Sequence, residues 1–329
     1  MARIVSTLPT EGRLPSLAGA TEWLNSPPLD PAGLRGKVVL VDFCTYTCIN
    51  WLRTLAYVRA WAETYRDRGL VVIGMHTPEF SFEHDLDNVR RALASMNVDW
   101  PIAVDNDYAI WEAFANHYWP ALYFIDAEGS IRHHWFGEGD YERSEAVIQQ
   151  LLRDAGAADI GDELVPIDPV GPEVEADWDN LGSPETYLGA DRTRNFASQD
   201  RMSIGGSHTY VAPEGLRLND WALSGDWTAE AESVSSTEPD GRIAFRFHAR
   251  DVNLVMGPKE RATPVAFRVS IDGESPVAAF GSDADREGAG LLDEQRMYQL
   301  VRQQRPVVDR LFEIEFLDRG AEAFAFTFG

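Results

Sequence analysis

The chain has 329 residues and 36.7 kDa, room for about two domains at roughly 150 residues each. Its 29 basic and 53 acidic side chains give a formal charge of −24, which phosphate backbones and anionic lipid repel, so no nucleic-acid partner and no membrane partner is expected. Two cysteines exclude a disulfide-stapled scaffold and a Cys-rich zinc module, and both fall in one short stretch, as Cys44 and Cys48.

Lys37-Val-Val-Leu-Val-Asp-Phe43 is a short β-branched run, the pattern of a buried parallel strand. A helix is expected from about Cys48 to Arg66, with Cys48, Leu52, Leu55, Val58 and Ala62 on one face and Gly69 as its stop. Leu70 to Met75 reads as a second buried strand, and Asp85 to Met96 as a helix with Leu86, Val89, Leu93 and Met96 on one side. A short strand at Pro101–Val104 and a helix at Tyr108–Phe114 follow. Ala121–Ile125 and Ser130–Phe136 flank a Gly-containing turn as a hairpin, and Glu142–Ala155 closes with a helix. Strands alternating with helices imply an α/β layered domain.

From about Gly156 to Pro184 the composition shifts to Pro, Gly and acids, the signature of a linker. Beyond it the periodicity is two. Ile243, Phe245, Phe247 and Ala249 alternate with more polar neighbours, as do Val265 to Ile271 and Phe312 to Phe316, and Phe324, Phe326 and Phe328 close the chain. Such strands argue an antiparallel β-sandwich. The expected layout is residues 1–158 for an α/β domain with an N-terminal extension, 159–182 for the acidic linker and 183–329 for an all-β, jelly-roll-like sandwich. No apolar run is long enough to span a bilayer, and residues 1–10 lack the apolar segment of a signal peptide, so a cytoplasmic chain with reduced thiols is expected.

Cys48, at a helix start after a buried strand, sits where unsatisfied N–H groups and the helix dipole stabilise a thiolate, which makes it a nucleophile. The bland alternative is a small buried residue. The surrounding stretches carry more. Val-Asp-Phe at 41–43, Thr-Tyr-Thr-Cys-Ile-Asn at 45–50, Leu-Arg-Thr-Leu at 52–55, His-Thr-Pro-Glu-Phe at 76–80, Asp-Asn-Asp-Tyr-Ala-Ile-Trp at 105–111 and Tyr-Trp-Pro-Ala-Leu-Tyr-Phe-Ile-Asp at 118–126 resemble thioredoxin-like proteins of the TlpA/DipZ type. Ser-Pro-Glu-Thr-Tyr-Leu-Gly at 183–189, Arg-Phe-His-Ala-Arg-Asp at 246–251 and the Phe-rich C-terminus are similar to the second, carbohydrate-binding-module-like domain of DipZ-type proteins.

The resemblance implies thiol–disulfide exchange, with Cys48 at the attacking position and Pro120, after Trp119, at the cis-proline facing it. It also reveals a departure. The resolving position holds Trp51, and Cys44 occupies the position usually held by Trp, so the spacing is Cys-x-x-x-Cys. For Cys44 to resolve, the elbow must fold back, because four extended residues span about 13 Å and a disulfide needs Cα atoms roughly 4.4–6.8 Å apart. Asp42 points to the same strand face as Cys44 and is a candidate proton acceptor for it; a leftover buried acid is the equal alternative.

Three mechanisms stay open. Cys48 attacks and Cys44 resolves; or Cys48 reacts with a disulfide or peroxide and an external thiol resolves, with Thr45-x-x-Cys48 resembling the peroxiredoxin pattern; or the chain is a noncatalytic binder, of another ligand or of Cu(I) through Cys44, Cys48 and a histidine. No resident metal or cofactor is implied. Trp51 is a candidate aromatic wall beside the thiol, or a packed helix aromatic. His76 and Glu79, after the second strand, are candidates for proton transfer near Cys48. Glu83, His84 and Asp85 read as a solvated helix start. In the second domain Arg246, His248 and Arg250 read as a cationic row on one strand face, for an anionic ligand or for ordinary ion pairs. Tyr187, Tyr210, Trp221, Trp227 and Tyr298 are candidate stacking platforms for carbohydrate, or core.

Overall fold

The computed structural model describes residues 8–261 and 263–329; residues 1–7, part of the stretch read for a leader, lie outside the described residues. The chain divides into two compact units between Glu173 and Val174, inside the stretch expected as linker.

The first unit is a mixed sheet with helices. Its elements are β1 (Gly12–Arg13), β2 (Glu22–Leu24), β3 (Val38–Cys44), α1 (Ile49–Tyr65), β4 (Leu70–His76), α2 (Leu86–Ser95), β5 (Ile102–Val104), α3 (Ala109–Ala113), β6 (Ala121–Ile125), β7 (Ser130–Phe136) and α4 (Tyr141–Asp154). The strand order is β1-β7-β6-β3-β4-β5-β2. β3, β4 and β5 run parallel, β6 runs antiparallel to β3, and β7 runs antiparallel to β6. The two edge strands β1 and β2, too short for a periodicity to show, were not expected from the sequence.

β3 lies inside the sheet and is buried along its whole length, which is why its sequence is apolar on both faces. Val39, Val41 and Phe43 join one core with Ile73, Met75, Ile110 and Phe114. By alternation Leu40, Asp42 and Cys44 face the opposite side. The polypeptide leaves β3, turns through Thr45–Thr47 and enters α1, so Cys44 ends a strand and Cys48 caps a helix. Past α1 the chain makes one 3-10 turn and reverses at Gly69, whose φ of 102° is left-handed.

The strands of the second unit pair antiparallel with one another: β8 (Thr186–Tyr187), β9 (His208–Tyr210), β10 (Trp221–Ala229), β11 (Val234–Ser236), β12 (Gly241–Phe247), β13 (Asp251–Pro258), β14 (Val265–Ile271), β15 (Ala289–Leu292), β16 (Arg296–Arg302), β17 (Arg310–Phe316) and β18 (Ala321–Phe328). Nine strands follow one another as β15-β14-β17-β12-β10-β11-β18-β13-β16, with β8 on β18 and β9 on β10. β10 belongs to both halves of this curled sheet. Trp221–Ser224 pair with β12, and from Gly225 onward the strand pairs with β9 and β11. Gly225 has φ of 90° and lies against the Gly241 backbone, so the corner is made where no side chain obstructs it. The enclosed core includes Trp221, Phe245, Phe267, Ile314 and Phe326. This β-rich unit fits the expected all-β fold class.

Among the described residues no helix is long and apolar enough to cross a membrane.

Candidate active site

The site is built where β3, β4 and the segment before β6 end together. The turn folds back on itself, with the Cys48 N–H donating to the Thr45 carbonyl at 3.2 Å and the Leu52 N–H to the Cys48 carbonyl at 3.0 Å. Cys48 is the N-cap of α1, whose first turn contains no acidic residue. First-turn amides of a helix have no intrahelical partner, so this end of α1 favours negative charge on a nearby sulfur. Cys48 is half-buried, and its Sγ lies 3.9 Å from the Trp119 carbonyl. The Trp119–Pro120 peptide is cis, and Pro120 is buried beneath a half-buried Trp119. The Trp119 indole donates to the Thr77 carbonyl at 3.1 Å, which ties this segment to the end of β4.

Four residues upstream the surroundings invert. Cys44 is 1% exposed. Its carbonyl accepts from the Thr77 N–H at 3.0 Å, and its sulfur sits over Gly74, where an added Cβ would come 2.5 Å from Ile102 Cδ1 and 3.7 Å from the Cys44 sulfur. The glycine thus leaves room for this side of the sheet to close. Burial pushes the Cys44 thiol well up, and the carboxylates of Asp42 and Glu83 push it further, with Cys48 adding to them. Asp42 is fully buried, and burial raises its carboxyl to about 7 against a pull downward from the Trp51 indole, which donates to its Oδ2 at 3.0 Å.

Several expected site residues are placed differently. Trp51 is 1% exposed and packs under the elbow on Asp42, so it is no wall for a substrate. His76 is fully buried next to Cys44 in the strand register and stacks on Tyr46, with ring centroids 5.8 Å apart. Burial lowers its pKa to about 4, which keeps it neutral and unsuited to relay protons at Cys48. Glu79 is half-buried in the loop after β4. Thr45 is buried, and its hydroxyl favours the charged form of Glu83. For a Cu(I) site the ligands are not assembled: among the described residues no group of three or more His, Cys, Asp or Glu side chains is set to hold a metal.

Sequence reasoning missed Glu83. It is buried, not solvated. Its Oε1 accepts from the Thr47 hydroxyl at 2.6 Å, and its Oε2 accepts from the Glu79 and Phe80 N–H groups at 2.6 and 2.9 Å. Burial raises its pKa, against the pull of these donors. The signal in the sequence was its setting, Phe-Ser-Phe-Glu, because Phe80 and Phe82 are both core.

In the β-rich unit the cationic row does not exist as a row. β12 ends at Phe247, so only Arg246 is on the strand. His248 Nδ1 lies 2.6 Å from Asp309, and Arg250 donates to Asp251 and to the Glu175 carbonyl, each at 2.7 Å. Asp251 is buried between Arg250 and Arg302, so the Arg250 guanidinium is engaged within the unit. Tyr210, Trp221, Trp227 and Tyr298 are core, and half-buried Tyr187 is covered by the Arg192 guanidinium 3.3 Å from its ring centre. None of the four core rings is a platform for a sugar.

Comparison with known proteins agrees with this architecture. Residues 183–329 match the family model described as a thioredoxin-like C-terminal domain. Protein DipZ of Mycobacterium bovis is 41% identical over 250 residues, which cover 75% of this chain and 35% of that protein. These matches support a thioredoxin-like protein of the DipZ type. It spans about a third of the length of its DipZ relatives. The thiol-disulfide oxidoreductase YkuV of Bacillus subtilis is 28% identical over 139 residues, covering 42% of this chain and 93% of its own length. The solution structure of a thioredoxin-like protein in the oxidized form is 28% identical, covers 44% of this chain and 96% of its own, and has a TM-score of 0.41.

Proposed function

We propose that the chain is a thiol–disulfide oxidoreductase that attacks with Cys48 and is resolved by a thiol from outside the chain. The observation that carries this reading is the inverted environment of the two cysteines. Cys48 sits half-buried at a helix N-terminus, whereas Cys44 is enclosed among acids that oppose its ionisation. A thiol must ionise to attack, so Cys44 is a poor resolving group. The usual resolving position, three residues after Cys48, carries an indole engaged with Asp42. The named activity of YkuV adds to the oxidoreductase reading.

The exchange runs in two steps. The Cys48 thiolate attacks a substrate disulfide, forms a mixed disulfide with one substrate sulfur and expels the other as a thiolate, which takes a proton from water. An external thiolate then attacks the substrate sulfur of the mixed disulfide, forms a new disulfide with it and releases Cys48 as thiolate. Each step makes and breaks one S–S bond, and a second external thiol completes reduction. The reading expects thiol and disulfide partners and a reducing compartment such as the cytoplasm, where such thiols are abundant. A peroxide substrate is less well supported, because the Thr45 hydroxyl is buried on the Glu83 side.

The test is disulfide turnover with excess glutathione as the external thiol, in the parent and in two variants. Cys48→Ser is expected to abolish turnover, and Cys44→Ser to keep it within about threefold, since a thiol that does not ionise contributes little to exchange. Loss of turnover in both variants to the same degree would show instead that Cys44 resolves.

A further inference from the structure

The loop after β4 touches every part of the site. Thr77 donates its N–H to the Cys44 carbonyl and accepts from the Trp119 indole, and the Tyr108 hydroxyl donates to the Pro78 carbonyl. At its far end a single 3-10 turn, Ser81–His84, returns Glu83 into the interior, where the carboxylate binds the two N–H groups at the start of that turn. The other carboxylate oxygen takes the hydroxyl of Thr47, the residue immediately before Cys48. A carboxylate is costly to bury, and here three donors offset that cost. Phe82 packs edge-on to Tyr46, which lies in the same turn as Thr47. The backbone of Cys48 must hold its extended N-cap conformation, φ −73° and ψ 115°, for the sulfur to meet the helix mouth.

We infer that Glu83 is a positioning residue of the reactive elbow: through the Thr47 hydroxyl it holds Cys48 at the N-terminus of α1. Glu83 does not touch a substrate. Its role is to brace the turn from below, with the loop after β4 as the fixed body that carries it. The inference rests on the reading of Cys48 as the reacting thiol, and its test does not need turnover.

The experiment is the pH profile of Cys48 alkylation by iodoacetamide in the full chain, read on the Cys48 peptide by mass. Thr47→Val removes the hydroxyl at nearly constant shape, and Thr47→Ser restores it. Asp42, Cys44 and His76, the ionisable groups facing the elbow from β3 and β4, are unchanged in both. Thr47→Val is expected to raise the midpoint of the profile by about half a pH unit, the worth of a sulfur–helix interaction at a helix terminus, and Thr47→Ser to leave it in place. In a Glu83→Gln background the effect of Thr47→Val is expected to shrink by about half, because a neutral acceptor bonds the hydroxyl more weakly. Equal midpoints for Thr47→Val and the parent, equal effects of Val and Ser, or no labelling of Cys48 in the parent would each overturn the inference. If Glu83→Gln does not fold, the Val and Ser pair decides alone. A shifted midpoint in a chain that turns over no disulfide sinks the exchange reading and leaves this inference standing.

Discussion

The rim and the floor of the elbow are four residues apart in sequence and opposite in physics. At the rim, Cys48 begins a helix, is partly open and has no acid in the turn above it. On the floor, Cys44 ends a strand inside a closed sheet, with Asp42, Glu83 and a neutral His76 around it. The difference teaches that a cysteine pair is not a dithiol by spacing alone. The end of a strand hands its residue to the core, and the start of a helix offers its residue unsatisfied N–H groups.

The strongest way to break this contrast is to give the rim a second thiol. Trp51→Cys places one three residues after Cys48 and uncovers Asp42. Removing an indole that is 1% exposed should cost about 3–5 kcal/mol in urea unfolding. The folded variant, oxidised with diamide and then denatured, should keep a single titratable thiol, that of Cys44. Three free thiols after oxidation would show that the rim does not hold two sulfurs in bonding geometry.

A smaller effect sharpens the floor. Burial holds the Asp42 carboxyl at about 7 in the fold, against an ordinary 3.8. The folded state keeps a proton that the unfolded chain releases, so the stability tied to this group is full below pH about 4 and is lost as pH rises through 7. From pH 5 to pH 8 the stability of Asp42→Asn, neutral throughout, should therefore rise relative to the parent's by about 2–4 kcal/mol in urea. Equal pH slopes would place Asp42 in contact with water. The smallest effect belongs to the second unit, where Arg246→Ala should change stability by no more than about 0.5 kcal/mol in the same assay, as a half-buried side chain at the end of β12 that shares no buried network.

Much of this was legible in the sequence. The β-branched runs at 37–43 and 70–75, and the helix between them stopped at Gly69, placed Cys48 at a strand-to-helix turn, and the turn is where the fold puts it. The floor was not legible. Glu83 follows a loop and precedes a helix, as a solvated acid does, and only the closure of that loop onto Thr47 supplies the donors that let it be buried. Trp51 was visible as an indole on the first turn of the helix, but its partner Asp42 is nine residues back on another element. In the second unit the alternation of Phe247 and Ala249 continued past the real end of β12, because the bend at 248–250 still buries Ala249, and so the cations appeared aligned in a row that the chain does not make.

The most direct measurement is to incubate the reduced full chain with oxidised glutathione and map every disulfide by peptide mass. The account predicts a glutathione adduct on Cys48 and an unmodified Cys44. A Cys44–Cys48 disulfide, or an adduct on Cys44, would contradict it.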